Sequence, residues 1–252
     1  MVLVEEETLS GTHTNCISVN DVTKSYGKNP ALSGLSFSIP CGEKYSLIGP
    51  NGAGKSTTLK LLVGLLVPDR GSVSIDGIDP TTKRAKKLIG YLPEDASPYN
   101  TLSVRENLEY IGAIREVQNL RERVDQLIYE MGLSEYEKSK VSKLSRGNRQ
   151  KLAVALSVIH EPDILLLDEP LNYLDIPTQE KTISIFDRLN ATVLVSTHIM
   201  SIAERLTHGA IVISRGRTIW DGTMEQLKQL GDPTEAIEKI VMRLMTGAAP
   251  TH

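Results

Sequence analysis

The chain has 252 residues, of which 40% are hydrophobic and 23% are charged. This length fits one large α/β domain or two small ones, and the apolar content is sufficient for a buried core. The net charge of -3 gives no basic footprint, so nucleic acid is not expected as a partner.

Cysteines and long apolar runs are both scarce. The two cysteines, Cys16 and Cys41, are too far apart and too few for a metal cluster or a disulfide framework, which favours a reducing compartment. The longest apolar runs are far shorter than the roughly 18 residues that a membrane-spanning helix needs. The first residues carry acids where a secretory signal carries bases, so we expect no export signal and interpret 1–14 as a loose tail.

Three short β-rich runs, CISVNDV, LSFSIP and KYSLIGP, open the chain after residue 15. The third leads into GPNGAGKST, which matches the phosphate-loop pattern G-x-x-x-x-G-K-[ST] without a mismatch. A helix is predicted over 58–67, directly after this loop. Because glycines let successive backbone N–H groups point at one concavity, we expect the loop to hold nucleotide phosphates.

Every residue of this loop is a candidate nucleotide-binding residue: Gly49, Pro50, Asn51, Gly52, Ala53, Gly54, Lys55, Ser56 and Thr57. Lys55 is expected to reach the β and γ phosphates, and Ser56 to offer its hydroxyl to Mg²⁺. Thr57 adds another donor to the phosphates. The alternative is a glycine-rich turn that only caps a helix, and a full match between a strand and a helix argues against it.

Further strands are predicted over 72–77 and 89–92, so a mixed β region surrounds the predicted site. From about 95 to 145, charges at helical spacing replace the β-branched runs. A capping box at Ser103 precedes a helix that extends to Ile114, and a second helix over 119–131 is closed by Gly132. We interpret this stretch as a helical subdomain inserted into an α/β core.

The core resumes with a helix over 152–159, a buried parallel strand over 164–167, a strand over 192–196 and a hairpin over 210–220. Asp168 and Glu169 follow the buried strand in the Walker B arrangement. We expect Asp168 to hold Mg²⁺ and Glu169 to orient or deprotonate the attacking water. The alternative is two acids that cap the next helix.

Short helices are expected after Thr223, and 231–252 is interpreted as a helical tail.

A second motif, KLSRGNRQK, precedes the helix over 152–159 and resembles the signature of the ATP-binding cassette (ABC) ATPases, usually Leu-Ser-Gly-Gly-Gln. The order of phosphate loop, signature and Walker B carries the resemblance, which covers about Cys16 to Leu230. It implies an ABC ATPase domain over 15–230, an α/β P-loop NTPase core of mixed sheet and helices, with an antiparallel β region and the inserted helical subdomain. It also implies that Ser145 and Gly147 cover the nucleotide held by a second subunit.

The resemblance implies roles for further residues. Tyr26 resembles the aromatic that stacks on adenine, His198 the switch histidine that contacts the γ-phosphate, and Asp175 the D-loop aspartate at the dimer seam. Glu94 stands at the Q-loop position and is a candidate for both catalysis and metal binding. The other histidines match no position of the pattern and are interpreted as surface or structural residues: His13, His160, His208 and His252.

Three residues depart from the family pattern. Glu94 stands where glutamine is usual, which keeps acceptor chemistry but removes donor chemistry at neutral pH. Arg146 adds a cation to the signature, either near the partner's phosphates or turned to solvent. Tyr173 brings a bulky ring to the D-loop, where a small residue is usual.

The stretch GYLPEDASPYNTLSVRENL and the ending AIEKIVMRLMTG resemble the exporter branch, whose ATPases pair with separate membrane permeases for drugs, antibiotics or lipids. The resemblance implies ATP and Mg²⁺ as cofactors, and a second copy or a paralogous ATPase as a head-to-tail dimer partner. It implies a peripheral location on the cytoplasmic face of the cell membrane. The alternatives are a non-transport ABC ATPase acting on DNA or ribosomes, a membrane-bound regulator that moves no solute, and a P-loop kinase or GTPase.

Overall fold

The computed structural model of the chain describes residues 14–246. The predicted tail over 1–14 therefore lies outside the described residues except for Thr14. His13 and His252 also lie outside them. The strands are β1 (Asn15–Tyr26), β2 (Asn29–Pro40), β3 (Lys44–Ile48), β4 (Arg70–Ile75), β5 (Ile89–Leu92), β6 (Ile164–Asp168), β7 (Thr192–Thr197), β8 (Gly209–Ser214) and β9 (Arg217–Thr223). The helices are α1 (Lys55–Leu62), α2 (Lys83–Leu88), α3 (Val104–Ile114), α4 (Leu120–Glu130), α5 (Arg146–Val158), α6 (Ile176–Arg188), α7 (Met200–Leu206), α8 (Met224–Lys228) and α9 (Ile237–Thr246).

The larger sheet has six strands in the order β5-β6-β7-β3-β8-β9. Its first five strands are parallel, and β9 pairs antiparallel with β8 through the predicted hairpin. Strand β6 is buried throughout, with Leu165 and Leu167 packed in one core cluster and Ile164 and Leu166 in another. Since burial of one such side chain contributes about 1.5–3 kcal/mol, this strand is fixed firmly between the two layers.

The smaller sheet is antiparallel, with the order β2-β1-β4. Its inner face packs against α1 and the larger sheet in a shared core that includes Ile17, Leu35 and Leu59. The mixed α/β fold with an antiparallel β region, predicted from the sequence, is therefore confirmed. The proposed domain boundaries remain predictions.

The two cysteines are joined by a disulfide, so the expectation that they are too far apart to pair is wrong. The antiparallel pairing of β1 with β2 places Asn15 opposite Pro40, and the neighbouring Cys16 and Cys41 come to a Cα–Cα distance of 4.7 Å. The two cysteines are 25 positions apart in sequence, and the β1–β2 hairpin between them brings them together. Sequence separation was a poor guide to distance, and the cysteine count gives no argument for a reducing compartment.

The helical region between β5 and β6 contains α3, α4 and α5. Its first helix has the predicted capping box, because Ser103 Oγ accepts the Glu106 N–H at 3.2 Å while Glu106 Oε2 accepts the Ser103 N–H at 2.7 Å. Helix α5 begins at Arg146, well before the predicted start at residue 152, because Ser145 caps it. Across residues 14–246, no helix is both long enough and apolar enough to cross a bilayer.

Three helices were not predicted, namely α2, α6 and α7. The sequence does contain a start signal for α6, an aspartate at the N-cap followed by a proline in the first turn. In the structure Asp175 Oδ1 accepts the Thr178 N–H at 2.9 Å. Helices α2 and α7 have six and seven residues, so their apolar periodicity covers barely two turns.

His160 is half-buried beside β5, in agreement with its interpretation as a structural residue. Its Nε2 lies 3.1 Å from the carbonyl oxygen of Ile89 and donates to it, while Nδ1 is buried without a hydrogen-bond partner. Burial, followed by the nearby charge of Arg115, lowers the pKa of His160 to about 4. The imidazole is therefore neutral at physiological pH.

The low pKa of His160 predicts that the fold loses stability as the pH falls from about 6.5 to about 4. In this window the unfolded chain binds a proton on the imidazole that the folded chain does not bind. His160→Gln keeps a donor for Ile89 but removes the titration, so its free energy of unfolding should fall less between about pH 7 and pH 5. Urea unfolding at both pH values measures the difference. Exposed His208→Gln is the matched control, and an equal change in both variants would exclude the buried imidazole as the cause.

Candidate nucleotide-binding site

The predicted phosphate loop connects the carboxyl end of β3 to α1. Gly52 and Gly54 have φ values of 78° and 108°, a region that side chains with a Cβ rarely adopt. A Cβ on Gly54 would lie 2.5 Å from Leu32 Cδ2 and 2.9 Å from the carbonyl oxygen of Ala31. Helix α1 begins at Lys55, earlier than predicted, so its unpaired N–H groups belong to the loop itself.

Lys55 is held inside the loop. Its side chain is buried, and Nζ donates to the carbonyl oxygens of Gly49 at 2.7 Å and Pro50 at 3.2 Å. Burial lowers the pKa of Lys55, and the charges of Glu169, Asp168 and then Glu94 oppose that shift. The loop thus presents a partly desolvated cation together with the N-terminus of a helix, a combination that favours anions.

An open cleft of about 550 Å³ lies over this loop. We name the part of the site that one chain supplies the near side. Each segment predicted to form the near side contributes to the lining of the cleft, which includes Tyr26, Asn51, Gly52, Gly54, Lys55, Ser56, Thr57, Glu94, Asp168, Glu169 and His198. The other loop residues, Gly49, Pro50 and Ala53, support the bend without lining the cleft. Sequence reasoning missed the neighbouring Asn29, Pro30 and Ala31, which line the cleft because they follow Tyr26 around the β1–β2 hairpin.

Asp168 and Glu169 leave the buried strand β6 beside the end of β7. Asp168 is 3% exposed and pairs in register with Ser196. Glu169 has a left-handed backbone with φ 48°, and its N–H donates to the carbonyl oxygen of Ser196 at 2.9 Å. This turn directs the buried Glu169 carboxylate into the cleft, which the alternative of two acids capping the next helix does not explain.

The Glu169 carboxylate accepts three hydrogen bonds from the end of β7. Oε1 accepts the backbone N–H of His198 at 3.0 Å and its Nδ1–H at 2.6 Å. Oε2 accepts the hydroxyl of Thr197 at 3.0 Å, and this hydroxyl also accepts the N–H of Ile199. Thr197 was not predicted, although a threonine between a strand and a candidate histidine could have indicated it. These bonds fix the carboxylate in one orientation.

The predicted signature and D-loop residues do not reach the cleft of their own chain. Ser145 is exposed and caps α5, accepting the N–H of Asn148 at 3.2 Å. Gly147 follows in the first turn of α5, and Asp175 is exposed and caps α6. One chain therefore assembles the phosphate loop, Walker B acids and His198, but not Ser145, Gly147 or Asp175.

A phosphate loop after a central parallel strand and a paired acid after a buried strand define a P-loop nucleotide-binding ATPase. The chain belongs to the ABC transporter family, because the family model described as ABC transporter matches residues 32–172, more than half of the chain. It is an ATP-binding ATPase of that family. The kinase, GTPase and non-nucleotide alternatives are thereby excluded.

Individual relatives agree with this assignment. The chain is 38% identical over 221 residues to the Nod factor export ATP-binding protein I of Burkholderia orbicola, covering 84% of this chain and 72% of that protein. It is 32% identical over 226 residues to the linearmycin resistance ATP-binding protein LnrL of Bacillus subtilis, covering 86% and 73%. A solved dimeric ATP-binding cassette in a post-hydrolysis state, bound to ADP and Pi, superimposes with a TM-score of 0.76 at 27% identity, covering 82% of this chain and 98% of that one.

The loop geometry predicts different costs for two glycine substitutions. Gly52→Ala meets no atom within 4 Å and should cost only the backbone strain of a positive φ, about 1–2 kcal/mol. Gly54→Ala adds the contacts with Leu32 and Ala31, so the total loss of unfolding free energy should be about 2–4 kcal/mol. Urea unfolding without nucleotide measures both. Equal losses would show that the close approach to Leu32 does not constrain the loop.

Proposed function

We propose that this chain hydrolyses ATP as a head-to-tail dimer and thereby powers export through a separate membrane permease. The observation that carries the proposal is the division of the site. Lys55 and Glu169 share one cleft, whereas the exposed Ser145 and the half-buried Gly147 lie outside that cleft in the same chain. A second copy facing the first would supply Ser145 and Gly147 to this cleft. The dimeric assembly of the ADP-bound relative supports this arrangement.

The near side of the site has the groups that binding of ATP requires. The N-terminus of α1 and Lys55 favour the phosphates, and the exposed ring of Tyr26 at the edge of the cleft is suited to stacking on adenine. Nucleotide phosphates would replace the carbonyl oxygens of Gly49 and Pro50 as partners of Lys55. Binding would therefore exchange two neutral acceptors for charged ones, which strengthens the hydrogen bonds.

Oxygen ligands in the cleft fit a magnesium ion. The Ser56 hydroxyl and the carboxylates of Asp168 and Glu94 line the same cleft as Lys55, and oxygen is the ligand that Mg²⁺ prefers. A bound Mg²⁺ would neutralise charge on the phosphates during hydrolysis. The carboxylate of Glu94 adds a negative charge that the usual glutamine lacks, so this site should favour a divalent cation strongly.

Glu169 is the proposed base. Its carboxylate is buried, faces the cleft and is oriented by Thr197 and His198, which leaves the remaining acceptor positions for an attacking water. His198 is 56% exposed on the cleft side and is proposed to contact the γ-phosphate as well. Ser145 and Gly147 of the second copy would close the site with the N-terminus of α5.

Glu169→Gln should lower the rate of ATP hydrolysis by ~10²- to 10⁴-fold while nucleotide binding is retained. The amide has the shape of the carboxylate but cannot accept the proton of the attacking water. Because hydrolysis no longer opens the dimer, ATP should convert the variant from monomer to dimer in sedimentation velocity runs.

The matched control is Glu225→Gln, which changes an exposed acid at the start of α8, away from the cleft. It should hydrolyse ATP at the parental rate. Hydrolysis by Glu169→Gln at that same rate would overturn the assignment of the base, and a variant that remains monomeric in ATP would overturn the dimer.

The proposed permease contact is a groove between α3 and the α/β core, which we name the α3 groove. Its volume is about 910 Å³, and the apolar part includes Val63, Leu65, Ile89, Ile111 and Ile114. Leu65 and Ile114 are 65% and 59% exposed, which is unusual for adjacent large aliphatic side chains. Lysines border the groove at Lys83, Lys86 and Lys87. Its size and apolar floor suit an amphipathic helix of a partner.

The α3 groove continues toward the nucleotide site. A neighbouring cavity of about 440 Å³ shares Tyr91 and His160 with it and is walled by Pro93 and Ala96, on either side of Glu94. Movement of a helix in the groove would thus displace the segment that carries Glu94 into the cleft. This continuity supports coupling between the permease and ATP hydrolysis.

The occupant of the groove would lie on the cytoplasmic face of the cell membrane, which sets the proposed location of this chain. Export as the direction is supported by the names of the two relatives, one for Nod factor export and one for linearmycin resistance. We propose a lipid-like or antibiotic molecule as the class of cargo. The cargo would contact the permease rather than this chain.

Ile114→Glu should reduce the amount of chain bound to native membranes by at least about tenfold, since docking would bury an unpaired carboxylate. ATP binding in solution should be unchanged, because Ile114 is absent from the lining of the cleft. Tyr129→Glu, on exposed α4, is the matched control and should bind membranes as the parent does. Equal membrane binding by both variants would exclude the α3 groove as the docking site.

A further inference from the structure

Two residues that depart from the family pattern contact each other. The guanidinium carbon of Arg146 lies 4.8 Å from the centroid of the Tyr173 ring, within the range of a cation–π interaction. Arg146 is the first residue of α5, directly after Ser145, and Tyr173 lies between Walker B and α6. The contact therefore joins the signature to the D-loop within one chain.

The D-loop is held in an uncommon backbone conformation at this point. Tyr173 has φ 65°, although the residue is 58% exposed and fills no core position. A bulky side chain with positive φ persists only where surrounding contacts favour it. The ring contacts the guanidinium of Arg146, so the cation–π pair is one interaction that stabilises Tyr173 in this conformation.

Further contacts join the same two segments. Gln150, one turn after Arg146, donates from Nε2 to the carbonyl oxygen of Pro170 at 2.9 Å, and both atoms are buried. A Cβ on Gly147 would lie 3.0 Å from the carbonyl oxygen of Tyr173, so the D-loop backbone passes close to the signature glycine. The Arg146–Tyr173 pair is the solvent-facing member of this set.

We propose that Arg146 and Tyr173 form a positioning pair that holds the signature and the D-loop as one preassembled surface for the second copy. Arg146 thus acts through Tyr173 of its own chain and does not serve as a cation on the partner's phosphates. This proposal rests on the head-to-tail dimer proposed above. Without the pair, both loops would have to be ordered when the dimer closes, and this ordering would weaken ATP-dependent association.

The size of the effect follows from the interaction. A cation–π pair at an exposed site is worth about 2.3-fold to fivefold in an equilibrium constant. A symmetric dimer contains two such pairs, so loss of both should weaken association by about fivefold to 25-fold. Lysine would not replace the arginine fully, because its ammonium lacks the planar face that stacks on a ring.

The test uses the full chain carrying Glu169→Gln, in which ATP-dependent dimerisation is measured by sedimentation. Adding Tyr173→Leu removes the ring, and adding Arg146→Gln removes the guanidinium. Each should weaken the dimer by about fivefold to 25-fold, and the two together should weaken it no further than either alone. Tyr173→Phe keeps the ring and should restore parental dimerisation, a rescue that a role for the hydroxyl would not give.

Hydrogen exchange on the nucleotide-free monomer supplies a readout that does not depend on the dimer. The amides of residues 171–174 should exchange about twofold to fivefold faster in Tyr173→Leu and in Arg146→Gln, but not in Tyr173→Phe. Additive losses in dimerisation would overturn the proposal, since they would show that Arg146 acts independently of the ring. Unchanged exchange would also overturn it. Failure of the Glu169→Gln parent to dimerise in ATP would instead overturn the proposed dimer, and with it this role of the pair.

Discussion

The site depends on the register of three neighbouring parallel strands, β3, β7 and β6. Ile48, the last residue before the phosphate loop, is paired with Thr197, and Asp168 is paired with Ser196. The loop, the two acids and His198 therefore leave the sheet at the same edge, where parallel strands present their carboxyl ends. Because both faces of these strands are buried, a slip of one residue would turn every apolar side chain to the wrong layer. Packing of the core thus fixes the positions of the loop, the two acids and His198 relative to one another.

Charge balance across the cleft follows from the same register. Burial of Lys55 alone would be costly, but Asp168 and Glu169 at the end of β6 and Glu94 in the same cleft favour its charged form. The acids in turn face a cation and a helix N-terminus rather than apolar atoms. Nucleotide phosphates that bring a divalent cation would add less negative charge to this set than the phosphates alone. The proposed magnesium nucleotide therefore suits the charges of the cleft better than a bare anion does.

The sequence predicted local features best where one short motif determines the backbone. The phosphate loop, the Ser103 capping box and the buried strand before Asp168 each required few residues and were found. Contacts between distant segments could not be predicted in the same way. Cys16 and Cys41 meet through the register of β1 and β2, and Thr197 reaches Glu169 across neighbouring strands. Arg146 contacts Tyr173 although α5 and β6 lie between them in sequence. Such pairs follow from tertiary packing rather than from spacing.

The helical region connects the two surfaces of the molecule. Helix α5 carries Ser145 at its first turn, and its apolar side packs in the same core cluster as α3 and α4. The α3 groove is lined by Ile111 and Ile114 near the end of α3, and it adjoins the cavity beside the segment that contains Glu94. If the proposed partner displaced α3, Ser145 and Glu94 would move together, although Ser145 would face the proposed second copy and Glu94 lines the chain's own cleft. One motion of a packed unit would then change both halves of a composite site, because packed helices shift as rigid bodies rather than deform.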